Sequence, residues 1–490
     1  MRLVLLLASA LSLFGCPTGN PSGTGGGAAG GFLAGGGFSS GGGVSAGGTA
    51  GGAAGGQVGG GSSAGGSAAG GSAAGGSGGG SGAMAGSFTI NDIVLHARVV
   101  ADATGAFHIV HFRQGPSAIL YGRCDQSCGQ ASSWTFVTIE VNAYAVAPGI
   151  AVGPDGRVHL VWIDSSGRKK YHYATCAAGC TTAAAWTQIE FDAPDCAWEE
   201  NNSNLVLDSA GRLSFVSTDP SFRRVCLSTC GATCTSPQSW QSGVIIDLPN
   251  RTNVKIRVAL AGSGTTLHLV YNDWVAGLRY QRCSGTCTQS ASWTRSDPLF
   301  YHGDDGLVSL AASPAGRLLL AFNQGTTEAS APMDVKALDL HPLVWECSTG
   351  CDQRANWNGM VLGSAGDGVN GITGLVDGTG IGAVFTNANT TTLGLCSAGC
   401  DMPTSWRLLD VETQQSLNAG LPDPYVFLPG CEVSGMQVRP QLATWSPDFP
   451  SAAVSSRGLL VHTGTRRLRT CPGVTTPTVF GGWGRVLFVP

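Results

Sequence analysis

The chain carries little charge and almost no helical signal, and both absences narrow what it can be. Only 12% of its residues are Asp, Glu, Lys or Arg, and the formal net charge is −4. A surface so poor in cations excludes bulk electrostatic binding of nucleic acid or anionic membrane. After residue 20 there is no apolar run long enough to span a bilayer. Apolar spacing of 3.6 residues is missing almost throughout, which excludes a helical solenoid. The cysteines do not stand in the Cys-x-x-Cys spacing of redox motifs, and no His recurs beside them to complete a zinc site. No metal and no cofactor is therefore expected.

What the chain has is glycine, cysteine and repetition. One pattern occurs six times: Cys, three residues, Cys, five residues, Trp. The copies are Cys124, Cys128 and Trp134; Cys176, Cys180 and Trp186; Cys230, Cys234 and Trp240; Cys283, Cys287 and Trp293; Cys347, Cys351 and Trp357; and Cys396, Cys400 and Trp406. Their starts lie 52, 54, 53, 64 and 49 residues apart, the period of propeller blades.

The N-terminus, residues 1–16, reads as an export signal: Arg2 is the positive end and Leu3 to Phe14 form a short apolar core. Leu13-Phe14-Gly15-Cys16 resembles the bacterial lipoprotein processing box. That resemblance implies cleavage before Cys16, acylation of its thiol, and attachment to the bacterial outer membrane or cell surface through lipid alone. The cysteine count agrees. Seventeen is odd for an exported chain, and setting Cys16 aside leaves sixteen. Six clasps use twelve, and Cys196, Cys226, Cys431 and Cys471 remain. Cys196–Cys226 and Cys431–Cys471 are the economical pairings. A second arrangement, Cys226–Cys230 with Cys196–Cys234, stays open.

Residues 17–86 are almost entirely Gly, Ala and Ser. Such a segment has too little side-chain surface to offset the entropy of ordering and reads as a disordered tether. Its root-mean-square span as a coil is about 45 Å.

Residues 87–490 read as all-β. In the unit 148–192 a first strand at 148–154 ends in a turn at Asp155-Gly156, and a second follows at 157–163. Further strands follow at 170–175 and 186–191, with a clasp between them. Four short strands in a meander make one propeller blade. A seventh, degenerate unit closes the chain. In it 453–458 match the first strand and turn, 459–462 the second strand, 466–470 the third, and Trp483 with 486–489 the fourth. Residues 410–445 form an insertion. Seven blades are expected; a six-bladed ring would treat 410–490 as a cap. The repeated Asp-x-x-Gly-x-x-His-x-Val units resemble those of sialidase-like, Asp-box-type propeller proteins. The resemblance implies the fold more than an activity, and the Asp-box Ser-x-Asp-x-Gly-x-x-Trp itself is absent.

In an exported chain the clasps read as structural disulfides. Each closes a very short loop worth about 2 kcal/mol in chain entropy. The recurring Trp covers the clasp or fills the gap between blades. His108, His159 and His268 hold one place in three blades, where Ser214 and Leu319 stand in two others, so they read as satisfied structural histidines.

Meander geometry puts the Asp/Gly turns and clasps on one face and the divergent loops on the other. Function is expected on the divergent face. Its candidate binding residues are Trp198, Glu199, Glu200, Arg251, Trp274, Tyr301, His302, Asp304 and Asp305. Carboxylates and amides there suit sugar hydroxyls, and the aromatic rings suit stacking. No catalytic motif is apparent, so the leading expectation is a non-catalytic, lipid-anchored surface propeller that binds a glycan or a surface protein. One alternative is a glycoside hydrolase of sialidase-like fold, with Glu199, Glu200, Asp304 and Asp305 as its carboxylates. Another is a structural protein of the envelope or matrix.

Overall fold

A computed structural model describes residues 86–489 apart from short stretches between strands, among them 193–195, 197–204, 249–255, 274–276, 300–307, 326–339, 363–370, 421–430 and 471–477. The chain divides into two compact units, Met1–Ala73 and Ala74–Pro490, and all described residues belong to the second. The signal segment, Cys16, the tether up to residue 85 and Cys471 lie outside the described residues.

The second unit is a seven-bladed β-propeller of four-stranded antiparallel sheets. Blade 2 shows the pattern: Ala145–Val152, Val158–Asp164, Lys170–Cys176 and Thr187–Asp192 pair in sequence order. The second strands are largely apolar and buried, as sheets covered on both faces require. Neighbouring first strands touch one another around the ring, so they line its axis. The Asp/Gly turns share one geometry. Their glycines, Gly105, Gly156, Gly211 and Gly316, adopt φ of 84°, 77°, 74° and 87°, the left-handed region that a Cβ disfavours.

The seventh blade differs from the sequence expectation. Arg466 to Thr470 is not its third strand but the far end of its second, Gly458–Thr470. The third strand is Trp483–Val489, and the fourth comes from the other end of the chain. Residues 86–93 pair antiparallel with Trp483–Val489, with Phe88 opposite Val486. The same strand, Gly86–Ala101, continues as the innermost strand of blade 1. One strand thus serves two blades and closes the ring.

Closure depends on a close approach. A Cβ on Gly86 would lie 2.7 Å from the Gly129 carbonyl oxygen, in the clasp of blade 1. Glycine at both positions lets the fourth strand of blade 7 reach the neighbouring clasp. Fourth strands meet the next clasp elsewhere too: Ser290 Oγ, in the turn after the fourth clasp, donates to the Ile245 carbonyl of blade 3 at 3.0 Å.

The insertion carries a short helix, Gln414–Gly420, and a hairpin of Cys431–Val433 with Met436–Val438. All six expected clasp disulfides are formed. They are Cys124–Cys128, Cys176–Cys180 and Cys230–Cys234 in blades 1 to 3. Cys283–Cys287, Cys347–Cys351 and Cys396–Cys400 follow in blades 4 to 6. In every clasp the first cysteine ends the third strand, and a short turn brings the second back beside it. The Cα atoms stand 5.5–5.8 Å apart, the ordinary span of a disulfide. Cys196–Cys226 is also formed, which excludes the alternative pairing through Cys226–Cys230. The expected partner of Cys431 lies outside the described residues.

Candidate functional site

Each clasp tryptophan makes the same hydrogen bond. Its indole Nε1 donates to the carbonyl of the second clasp cysteine. Trp134 reaches Cys128 at 2.9 Å, Trp186 reaches Cys180 at 2.9 Å, and Trp240 reaches Cys234 at 3.0 Å. Trp293 reaches Cys287 at 2.7 Å, Trp357 reaches Cys351 at 2.7 Å, and Trp406 reaches Cys400 at 2.9 Å. The rings also fill seams to the preceding blade. Trp186 meets Tyr121 edge-on at 4.9 Å, Trp240 meets Tyr173 at 5.3 Å, and Trp357 meets Tyr280 at 5.6 Å. Such aromatic pairs add about 0.5–1.5 kcal/mol beyond their buried area. The tryptophans are therefore framework, not sugar platforms.

The same tyrosines hold the strand histidines. His108 Nδ1 lies 2.6 Å from the Tyr121 hydroxyl, His159 Nδ1 2.7 Å from Tyr173, and His268 Nδ1 2.8 Å from Tyr280. Burial pushes His159 and His268 down to about 4, and neighbouring arginines act in the same direction. Both rings are neutral at physiological pH. The blades differ at the other ring nitrogen. His108 Nε2 meets the Asp102 carboxylate at 3.2 Å. His268 Nε2 is buried without a hydrogen-bond partner among the described residues. His159 instead lines an open cleft of about 520 Å³ between blades 2 and 3, with Asp155, Arg157, Thr175, Leu213 and Thr235. This cleft is on the face of the turns and clasps, where sequence reasoning expected scaffold alone. The signal that could have found it is the Gly at 153, where blades 1 and 3 carry Asp102 and Asp208.

The nine candidate binding residues, Trp198, Glu199, Glu200, Arg251, Trp274, Tyr301, His302, Asp304 and Asp305, lie outside the described residues. The strands that flank them are described. Each fourth strand ends, and each next first strand begins, on the face away from the clasps. The root of the segment 197–204 is itself fixed. Cys196 is fully buried and bonded to Cys226 on the third strand of blade 3. Its carbonyl also accepts a hydrogen bond from the Tyr171 hydroxyl at 3.1 Å. Asp219, on the same face, caps its own loop by accepting from the Arg223 and Arg224 amides at 2.6 and 2.8 Å. Among the described residues no group of three or more His, Cys, Asp or Glu could hold a metal ion.

No family model and no curated protein sequence matches the chain. Solved structures do resemble it. One is a polysaccharide lyase, an ulvan lyase bound to -[GlcA(1-4)Rha3S]-, with a TM-score of 0.45 and 9% identity over 82% of this chain and 96% of that one. The polysaccharide lyase Uly1 follows with a TM-score of 0.44 and 10% identity over 80% and 89%. The α-L-arabinofuranosidase Arb93A of Fusarium graminearum has a TM-score of 0.42 and 10% identity over 81% and 98%. Likeness at this level transfers no activity. It does correct the expectation of a non-catalytic binder, which rested on the absence of a catalytic motif: these similar structures are glycan-processing enzymes. A propeller draws a site from loops of separate blades, so its chemistry leaves no contiguous motif.

Proposed function

We propose that the protein is an exported glycan-processing enzyme of the glycoside-hydrolase kind, working from its divergent face. The observation that supports this most is the Cys196–Cys226 bond. Among the described disulfides it alone stands outside the clasp repeat, and it anchors the chain two residues before Trp198-Glu199-Glu200. A cross-link at the root of one loop fixes the point from which that loop departs. An aromatic ring to stack on a sugar beside carboxylates to act as acid and base is what glycoside hydrolysis requires. Asp304 and Asp305, in the connection from blade 4 to blade 5, supply further carboxylates on the same face. Arg251, Trp274, Tyr301 and His302 supply sugar contacts. Cys16 anchors the enzyme to the outer membrane or cell surface by its lipid, and 17–86 act as a leash.

The test is to incubate the full chain with a panel of neutral and acidic polysaccharides and measure new reducing ends. Cleavage of at least one is expected. No cleavage across the panel would overturn the proposal. Loss of fatty-acid labelling in Cys16→Ser tests the anchor.

A further inference from the structure

Six of the seven seams between blades are filled from the clasp of the following blade. In each, the clasp cysteines and their tryptophan share one apolar cluster with the preceding blade. The seam between blades 6 and 7 is built differently. Its core is aliphatic, with Val384 and Leu393 of blade 6 against Val461 and Leu487 of blade 7, and among the described residues it holds no cysteine and no aromatic ring. Leu395, Leu409, Val454 and Val489 at its edge are partly buried. An open groove of about 340 Å³ lies at this seam, lined by Leu375, Ile381, Leu395 and Arg407 of blade 6 and Val454 of blade 7.

The difference is topological. In blades 1 to 6 the clasp joins the third strand to the fourth. In blade 7 those strands, Trp483–Val489 and residues 86–93, come from opposite ends of the sequence, and no clasp joins them. Register shows which residues stand in its place. Blade 7 closes its first turn with Ser455 opposite Gly458, as blade 4 does with Ser263 opposite Thr266. The next residue of the second strand is Leu267 in blade 4, opposite Cys283, and Leu459 in blade 7, opposite Val489. Val489 therefore holds the place of the first clasp cysteine. In blades 1 and 3 that cysteine is opposite the clasp tryptophan, Cys124 with Trp134 and Cys230 with Trp240. In blade 7 the pairs Ser87 with Leu487 and Gly86 with Phe488 lead, one residue further back, to Ala85 opposite Val489.

The faces agree. Phe88 packs on Trp134 of blade 1. Ser87 and Thr89, on the other side of the strand, accept from Arg485, which also donates to Glu412 of blade 6. Side chains alternate along a strand, so position 85 belongs to the blade 6 side with Ser87.

We infer that Ala83-Met84-Ala85 seats in this groove, and that the Met84 side chain closes the seam as the clasp tryptophans close the other six. Ala85 brings a single methyl group to the tryptophan position. Met84 is the only large apolar residue between Val58 and Phe88. An unbranched thioether suits an irregular aliphatic site. The segment is covalently held at Gly86, so its effective concentration at the groove is high. Blade 6 is also matched to an apolar occupant. The residue before the first clasp cysteine is Arg123, Thr175, Thr229, Arg282 and Glu346 in blades 1 to 5, and Leu395 in blade 6. The inference does not rest on the proposed enzymatic activity.

The experiment treats the full chain with hydrogen peroxide and follows each methionine by peptide mass spectrometry. Sulfoxide forms faster at exposed methionines. Met402 is 53% exposed and Met360 is 9% exposed, so the chain carries its own scale. Met84 is expected to react at the pace of Met360, several-fold more slowly than Met402. Leu395→Ser should bring Met84 up to the pace of Met402 and leave Met360 slow. Met84→Gly should lower the midpoint of chemical denaturation, and Met84→Leu should keep it. Three outcomes would overturn the inference: Met84 reacting as fast as Met402 in the wild-type chain, Met84 staying slow in Leu395→Ser, or an unmoved midpoint in Met84→Gly.

Discussion

Arg485 of blade 7 donates through Nε to the Glu412 carboxylate of blade 6 at 3.0 Å, with the Glu412 side chain only 1% exposed. The same guanidinium donates to Thr89 Oγ1 at 2.9 Å and Ser87 Oγ at 3.2 Å. One buried cation thus ties the last strands of the ring to the N-terminal strand that completes it. Removing one partner of such a pair leaves an uncompensated buried charge, at a cost of about 3–5 kcal/mol. Arg485→Met and Glu412→Leu should each lower the midpoint of chemical denaturation sharply. The double variant should recover most of the loss, because two apolar groups strand no charge.

Closure by residues 86–93 sets the stability of the whole propeller. Phe88 is buried against Trp134 of blade 1, with ring centroids 6.1 Å apart. Phe88→Ala should cost about 3–5 kcal/mol, as for other buried aromatic truncations. Limited proteolysis should then cut first in blades 7 and 1. Cutting that begins in blades 3 to 5 would speak against closure at this seam.

The same seam makes the ring acid-sensitive. His111 and His462 are buried, and none of their four ring nitrogens has a hydrogen-bond partner among the described residues. Burial pushes His111 down to about 3, with Arg113 adding to it. Burial pushes His462 to about 3 as well, followed by the effects of His111 and Arg98. A histidine depressed below its ordinary value of about 6.5 binds its proton more readily unfolded than folded. The stability it contributes is complete above pH 6.5 and falls as pH drops towards 3. At pH 5 the loss is about 2 kcal/mol per ring. Thermal melts should show the midpoint falling between pH 7 and pH 5, with a smaller fall in His462→Phe. An equal fall in both proteins would show that other groups carry the effect.

Much of this was legible in the sequence, for local reasons. The clasp spacing marks each blade because two cysteines, a short turn and a tryptophan form one contiguous device. The disulfide reading of Cys124 with Cys128, and of each later pair through Cys396 with Cys400, follows from the same contiguity. The fourth strand of blade 7 was not legible, because Phe88 and Val486 are paired across almost the whole chain. Residues 466–470 resemble a third strand, yet they extend the second, and 466–469 pair with Thr478–Gly481. The cleft at His159 was hidden because its signal is a missing side chain: Asp155 looks like the Asp of other turns but aligns with Thr104, two positions on from Asp102. The candidate carboxylates rest on residue type and on the face their flanking strands define.

The clasps are braces between blades as well as within them. Replacing Cys176 and Cys180 together by serine removes about 2 kcal/mol of loop constraint. It also loosens the Cys180 carbonyl that Trp186 uses as acceptor. Denaturation should shift by at least the loop contribution, and fluorescence should report a more exposed indole. An unchanged midpoint would mean that the hydrogen bond and the Tyr121 contact hold the turn without the bond.

The activity itself is tested most directly by the cleavage rate of Glu199→Gln and Glu200→Gln on whichever polysaccharide the wild-type chain degrades, with Asp304→Asn and Asp305→Asn alongside. Loss of a general acid or base costs about 100- to 10,000-fold. The account predicts a fall of that size for at least one of the four, with the denaturation midpoint unchanged. Cleavage at the wild-type rate in all four would contradict it.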